Sequence, residues 1–295
     1  MRMRRRPGRS FVLLVGVGAG LELGGAAVAY FGLDTMARCY WAWLPGGARP
    51  RFPLACTRPI AGVGFHLFVP VAILLGLLCA TVILAGVRAV ALGRSVRKAD
   101  LILGPRVPEV PAKLATAAMR TGAQRVELRH DEELYALCIG ILRPRVAVST
   151  GLVAHLGRDE LAAVLAHEEL HRLRLAPLRQ LVARVTARGL FFVPLLDDLL
   201  EVHLVEEEIL ADRSAASIVG RRALALALGK LSSAPALVAG ASGFGREPAL
   251  PYRVKALQEG STPLPRLGLP RVVMSGISLA ALVVLVAWMP VAGFH

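Results

Sequence analysis

Charge is scarce in this 295-residue chain: 19% of its residues are Asp, Glu, Lys or Arg, while 55% are hydrophobic. That balance points to a membrane protein rather than an ordinary soluble domain. Acids are scarcer still, 21 against 35 Lys and Arg, for a net charge of +14. A surplus of that size could serve a nucleic acid, but no DNA- or RNA-binding motif accompanies it. Its distribution also argues otherwise. Residues 94–271 hold 25 basic and 19 acidic residues, whereas the other 117 residues hold 10 and 2. The excess beside the apolar segments is the charge that flanks membrane helices, and no nucleic-acid partner is expected. Cysteine is scarce too, with four residues and no CxxC spacing, which argues against a cysteine-held zinc. No internal repeat is present.

Three long apolar runs are present instead. They cover Phe11 to Gly32, Val63 to Leu92 and Val272 to Phe294. Each suffices for a span, which takes about 20 helical residues. "MRMRRRPGR" precedes the first, "GRSVRK" follows the second, and Arg266 and Arg271 precede the third. Basic flanks face the cytoplasm, so a multi-pass cell-membrane protein is expected. Its domains are residues 1–93 with spans 11–32 and 63–92, a cytoplasmic domain over 94–271, and a last span over 272–295. A competing reading makes the first run a signal peptide cut at "AVA", Ala27–Ala29; the central domain stays cytoplasmic either way. The loop 33–62 between the first two spans is then expected outside; Cys39 and Cys56 fall in it and form a candidate disulfide, with two free thiols as the alternative. In the first span Gly16, Gly20 and Gly24 suit close helix packing. Glu22 among them reads as a protonated, hydrogen-bonded acid or as a functional one.

The central domain reads as α+β and mostly helical, with a small sheet. A helix covers 107–122. "RVELR", "ELYALCIG" and "PRVAVST" read as short strands between polar turns. Asp159 caps a helix to about Leu175, and further helices cover 178–189, Leu195 to Gly220 and "RRALALALGKL". Residues 232–248 read as loop. The apolar segment 190–196 rests on the membrane or belongs to the core.

"LAAVLAHEELHRLR", residues 161–174, carries the chemistry. Residues four apart share one helical face, so His167 and His171 can offer two imidazole nitrogens to one cation. Glu168 sits about 100° round, within reach of water activated there. Zinc polarises a peptide carbonyl, and a carboxylate moves the proton from water to the leaving amine. About one such chain in a hundred would carry this motif by chance, so a third ligand decides the reading. "EVHLVEEEILADRSAA", residues 201–216, supplies one. Glu208 can be the third ligand, and Asp212, one helical turn on, can hold the other N–H of a ligating histidine. Glu206 and Glu207 read as a solvated acidic face. His203 is off the Glu208 face and is a poor ligand.

"HEELH" followed by "EILAD" resembles the HExxH…ExxAD signature of membrane zinc peptidases. "LRPRVAVSTGL", residues 142–152, resembles the strand and turn before the zinc helix in BlaR/MecR-type antirepressor peptidases, and "YRVKAL", residues 252–257, resembles a basic-apolar segment of that group. HtpX-type quality-control peptidases share the metal signature. The resemblance covers roughly residues 125–260. It implies a gluzincin-like domain with one Zn2+ at the cytoplasmic face of the bilayer. It also implies an edge strand, Arg145, Val146, Ala147, Val148 and Ser149, that binds substrate backbone. Beta-lactam receptors of the group carry an outer sensor domain after the last span. The present sequence runs only to His295, so sensing of that kind is not expected, and its three spans compare with the four usual there.

The expected function is a membrane zinc endopeptidase with Glu168 as base, acting on a protein or peptide such as a transcriptional repressor. Two alternatives stand beside it: an HtpX-like quality-control protease, and a non-catalytic signalling or scaffold protein with structural zinc. The oligomeric state is open.

Overall fold

The computed structural model describes residues 8–42, 60–232, 242–243 and 249–291. Among them the chain runs α1 (Arg9–Ala42), α2 (Ile60–Ile102), β1 (Arg106–Val107), α3 (Ala112–Thr121), β2 (Val126–Arg129), β3 (Ala136–Ile139) and β4 (Arg145–Ser149). It continues through α4 (Thr150–His155), α5 (Arg158–Leu173), α6 (Ala176–Gly189), α7 (Leu195–Val219) and α8 (Arg221–Ser232). It ends with β5 (Ser242–Gly243), α9 (Leu250–Glu259) and α10 (Leu269–Val291). The Cys39–Cys56 pairing lies outside the described residues.

The chain forms two compact units. One comprises Leu14–Gly86, Thr186–Asp197 and Leu267–His295. Two stretches, Arg9–Phe31 and Val71–Ala91, are long and apolar enough to cross a membrane, and Leu269–Leu285 is a shorter apolar helix. Within this unit Val71 and Leu74 are buried against Val28, Leu282 and Leu285. The glycine that permits close packing is Gly18, where a Cβ would lie 2.3 Å from the Thr186 methyl. Gly16, Gly20 and Gly24 have nothing within 4 Å of that position among the described residues. Leu190, Val193 and Leu196 are buried, and Ser275 Oγ accepts the Leu195 N–H at 2.9 Å, satisfying one free donor at the start of α7.

The other unit comprises Met1–Leu13, Val87–Val185 and Asp198–Arg266. Its sheet has the order β1-β2-β4-β3-β5. β2 and β4 are parallel; the β1–β2, β3–β4 and β3–β5 pairs are antiparallel. One face, with Leu128, Ala136, Val146 and Val148, packs on Leu114, Leu161, Val164 and Leu165. α5 lies in that core, and every residue from Glu160 to His171 is buried. A helix buried all round shows no apolar stripe, so its charged residues need partners. Glu160 takes Lys230 Nζ and the Gly157 N–H, at 2.7 and 2.6 Å. Glu169 takes Nε and Nη2 of Arg172, both at 2.7 Å.

Three sequence expectations are corrected here. The N-cap of α5 is Gly157, and Asp159 sits inside the first turn, paired on the surface with Arg120. Arg145–Ser149 is not an edge strand. β4 is hydrogen-bonded to β2 on one side and β3 on the other, so its backbone has no free edge to offer. Val146, Ala147 and Val148 are fully buried, as befits a central strand covered on both faces. Glu207 is not solvated; it is 2% exposed.

Candidate metal centre

Two helices build the site. α5 carries His167 and His171 one turn apart, and α7 carries Glu208 and Asp212 one turn apart. The two imidazole Nε2 atoms lie 3.0 Å from each other. Glu208 Oε2 is 3.3 Å from His167 Nε2, and Oε1 is 3.4 Å from His171 Nε2. Ligands about 2.0–2.1 Å from a tetrahedral zinc stand about 3.3–3.4 Å apart, so these separations fit one shared cation. Among the described residues, these three are the group whose ligand atoms converge in this way.

Electrostatics agrees with the geometry. His167 Nδ1 and Asp212 Oδ1 are 2.9 Å apart. With the proton on Nδ1, the Nε2 lone pair is left for a metal. Burial works to lower the His167 pKa, but its bonds to Asp212 and Glu208 outweigh that and raise it. Burial would likewise raise Glu208, yet His171, His167 and Arg253 hold it well below the usual carboxylate range. Glu208 thus stays an anion, as a ligand must.

Glu168 behaves differently. It is fully buried, and among the described residues neither carboxylate oxygen has a side-chain hydrogen-bond partner, the Cys138 backbone being the one polar group that bonds towards it. Burial pushes its pKa up to about 8; Glu208 adds to the rise, while His171 and Arg253 oppose it. A buried acid with so little polar company is costly, and a site that brings a cation and water beside it removes that cost.

Two features escaped the sequence reading. Arg253, on α9, is fully buried and donates through Nε and Nη2 to Asp212, both at 2.7 Å. Its signal was the basic residue inside "YRVKAL". The second is the ion pair of Arg174 with Glu207. His203 is buried against Phe11, with ring centroids 5.1 Å apart. Burial lowers its pKa, and it is outside the converging trio. Cys138 is buried in β3. Burial, then the nearby Glu168, pushes its thiol pKa well up, as for an inert core thiol. His130 and His155 are exposed.

Residues 104–196 match the model of Peptidase family M48, a family of zinc metalloproteases. The matched segment includes His167, Glu168 and His171 but ends before Glu208, Asp212 and Arg253. The second half of the site therefore rests on geometry. No curated protein and no solved structure matches the chain.

Proposed function

We propose that this chain, a metallopeptidase, is an integral-membrane zinc endopeptidase that cleaves a cytoplasmic or membrane-proximal protein, with a transcriptional repressor as the favoured substrate. One observation carries the reading: three converging ligand atoms stand beside an acid, Glu168, that is fully buried and, among the described residues, has no side-chain hydrogen-bond partner. A structural zinc site is closed by a fourth protein ligand and has no use for such an acid.

His167, His171 and Glu208 would hold one Zn2+ per chain. When bound, the ion supplies Lewis-acid polarisation of a peptide carbonyl and acidifies water. The remaining work falls to the chain. Asp212 orients the His167 ring and fixes its tautomer. Glu168 takes a proton from water and returns it to the leaving amine, a task for a carboxyl poised near the working pH. A cation nearby pulls its pKa down from about 8 towards neutrality. For the substrate backbone β4 is unavailable, paired on both sides, and β3 is covered by β5 at Leu137 and Cys138; among the described residues the sheet's edges are β1 and β5. The basic flanks and the apolar helices support a catalytic unit at the cytoplasmic face, with α10 as the third span.

The test compares proteomes of cells carrying the wild-type chain and Glu168→Gln. Accumulation of one regulatory protein in the variant supports repressor cleavage. Accumulation of many misfolded membrane proteins transfers the same chemistry to quality control. Unchanged processing in the variant would remove Glu168 as the base and the peptidase mechanism with it.

A further inference from the structure

Resting on that reading, we propose that the buried Arg174–Glu207 ion pair is a positioning device for the metal centre. It sets the rotation and height of α7 against the end of α5, so that Glu208 meets both histidines.

Placement comes first. Arg174 is the C-cap of α5, three residues beyond His171. Glu207 immediately precedes Glu208 on α7. Arg174 donates Nε to Oε2 at 3.0 Å and Nη2 to Oε1 at 2.7 Å. Both side chains are 3% exposed. Two parallel bonds fix direction as well as distance. Neighbouring residues on a helix point about 100° apart. Once Glu207 is locked on Arg174, the direction of Glu208 follows. Arg179, on α6, adds a contact to Glu207 Oε1 at 3.5 Å.

The local backbone points the same way. The chain leaves α5 through Leu175, at φ 54°. That left-handed conformation is costly for a leucine and persists only where the surroundings hold it. Arg174, the residue before it, is anchored by the ion pair.

Stability alone does not account for the pair. A buried ion pair commonly does no better than two apolar side chains of similar volume. What an apolar pair cannot do is dictate orientation. The two roles therefore separate in a double variant.

The experiment uses the full chain in detergent and measures Zn2+ affinity by chelator competition beside the melting temperature of the metal-free protein. Arg174→Met and Glu207→Gln should each weaken Zn2+ binding by about 10–100-fold and lower the melting temperature. Arg174→Met/Glu207→Leu should regain the melting temperature while keeping the loss of affinity. If it binds Zn2+ as tightly as the wild type, the positioning role is overturned. Should that variant not fold, Arg174→Lys decides, since it keeps the charge and loses the fork. About tenfold weaker binding supports the proposal, and unchanged binding overturns it. A wild-type chain that bound no Zn2+ would overturn the metallopeptidase reading and the clamp together. Equal binding by the wild type and every variant would overturn the clamp alone.

Discussion

Arg253 and Asp212 form a buried pair joined by two hydrogen bonds of 2.7 Å. The same carboxylate reaches His167 Nδ1 at 2.9 Å, and Arg253 Nη1 lies 3.3 Å from Glu208 Oε2. One guanidinium thus compensates two buried anions. One of them orients a ligating ring, and the other is itself placed to be a ligand.

Removing that cation should be felt twice. Arg253→Met leaves the buried Asp212 carboxylate without its cation and with His167 as its remaining partner, which costs up to about 3–5 kcal/mol of stability. It should also weaken Zn2+ binding by about 10–100-fold. Asp212→Asn should do much the same. The double variant should fall well short of the sum, because the residues share one network. Thermal melts and zinc competition on the four proteins check this, and additive losses would show that the network does not act as a unit.

Glu168→Gln should retain bound zinc and lose about 10²–10⁴-fold in peptide hydrolysis, the usual share of a general base. His171→Ala should lose the metal together with the activity. Metal analysis beside a peptidase assay separates the two variants.

Part of this site can be read from spacing alone. Residues four apart on one helix share a face whatever the helix packs on. His167 with His171, and Glu208 with Asp212, are therefore legible without coordinates, as are the helices that carry them. What spacing cannot say is how two elements lie against each other. Glu207 reads as one more acid on a polar face until α5 delivers Arg174 to it across 33 residues. Arg253 lies 41 residues from Asp212 on a helix whose fully buried residue is this arginine. Arg145–Ser149 has the apolar, β-branched character of a strand. Whether a strand lies at the edge depends on its neighbours, and here β2 and β3 take both sides.

Gly151, in the first turn of α4, offers a test in which two effects have opposite signs. Gly→Ala inside a helix ordinarily stabilises by about 0.5–1 kcal/mol. At Gly151, in α4, a Cβ would lie 2.1 Å from the Glu132 backbone oxygen, and relieving such an overlap costs about 1–3 kcal/mol. Gly151→Ala should therefore destabilise. Gly229, in α8, has nothing within 4 Å of that position among the described residues, so Gly229→Ala should stabilise. Denaturant midpoints of the two variants check the signs, and a stabilised Gly151→Ala would refute the close approach.

The raised pKa of Glu168 makes the metal-free chain sensitive to alkali. Its folded value, about 8, exceeds its ordinary 4.5, so the folded state binds the proton more tightly than the unfolded chain. Stability from this group is complete below about pH 4.5 and declines as pH rises to about 8, by up to about 1.4 kcal/mol per pH unit. His167, also raised, acts in the same direction above its ordinary 6.5. Comparison with Glu168→Gln, which cannot titrate there, isolates the glutamate. Between pH 5 and 8 the chelated wild type should lose stability faster than the variant. Zn2+ should flatten the wild-type profile, because a cation favours the ionised carboxyl. Parallel profiles for the two chelated proteins would mean that Glu168 ionises as freely as an exposed acid, contrary to its burial.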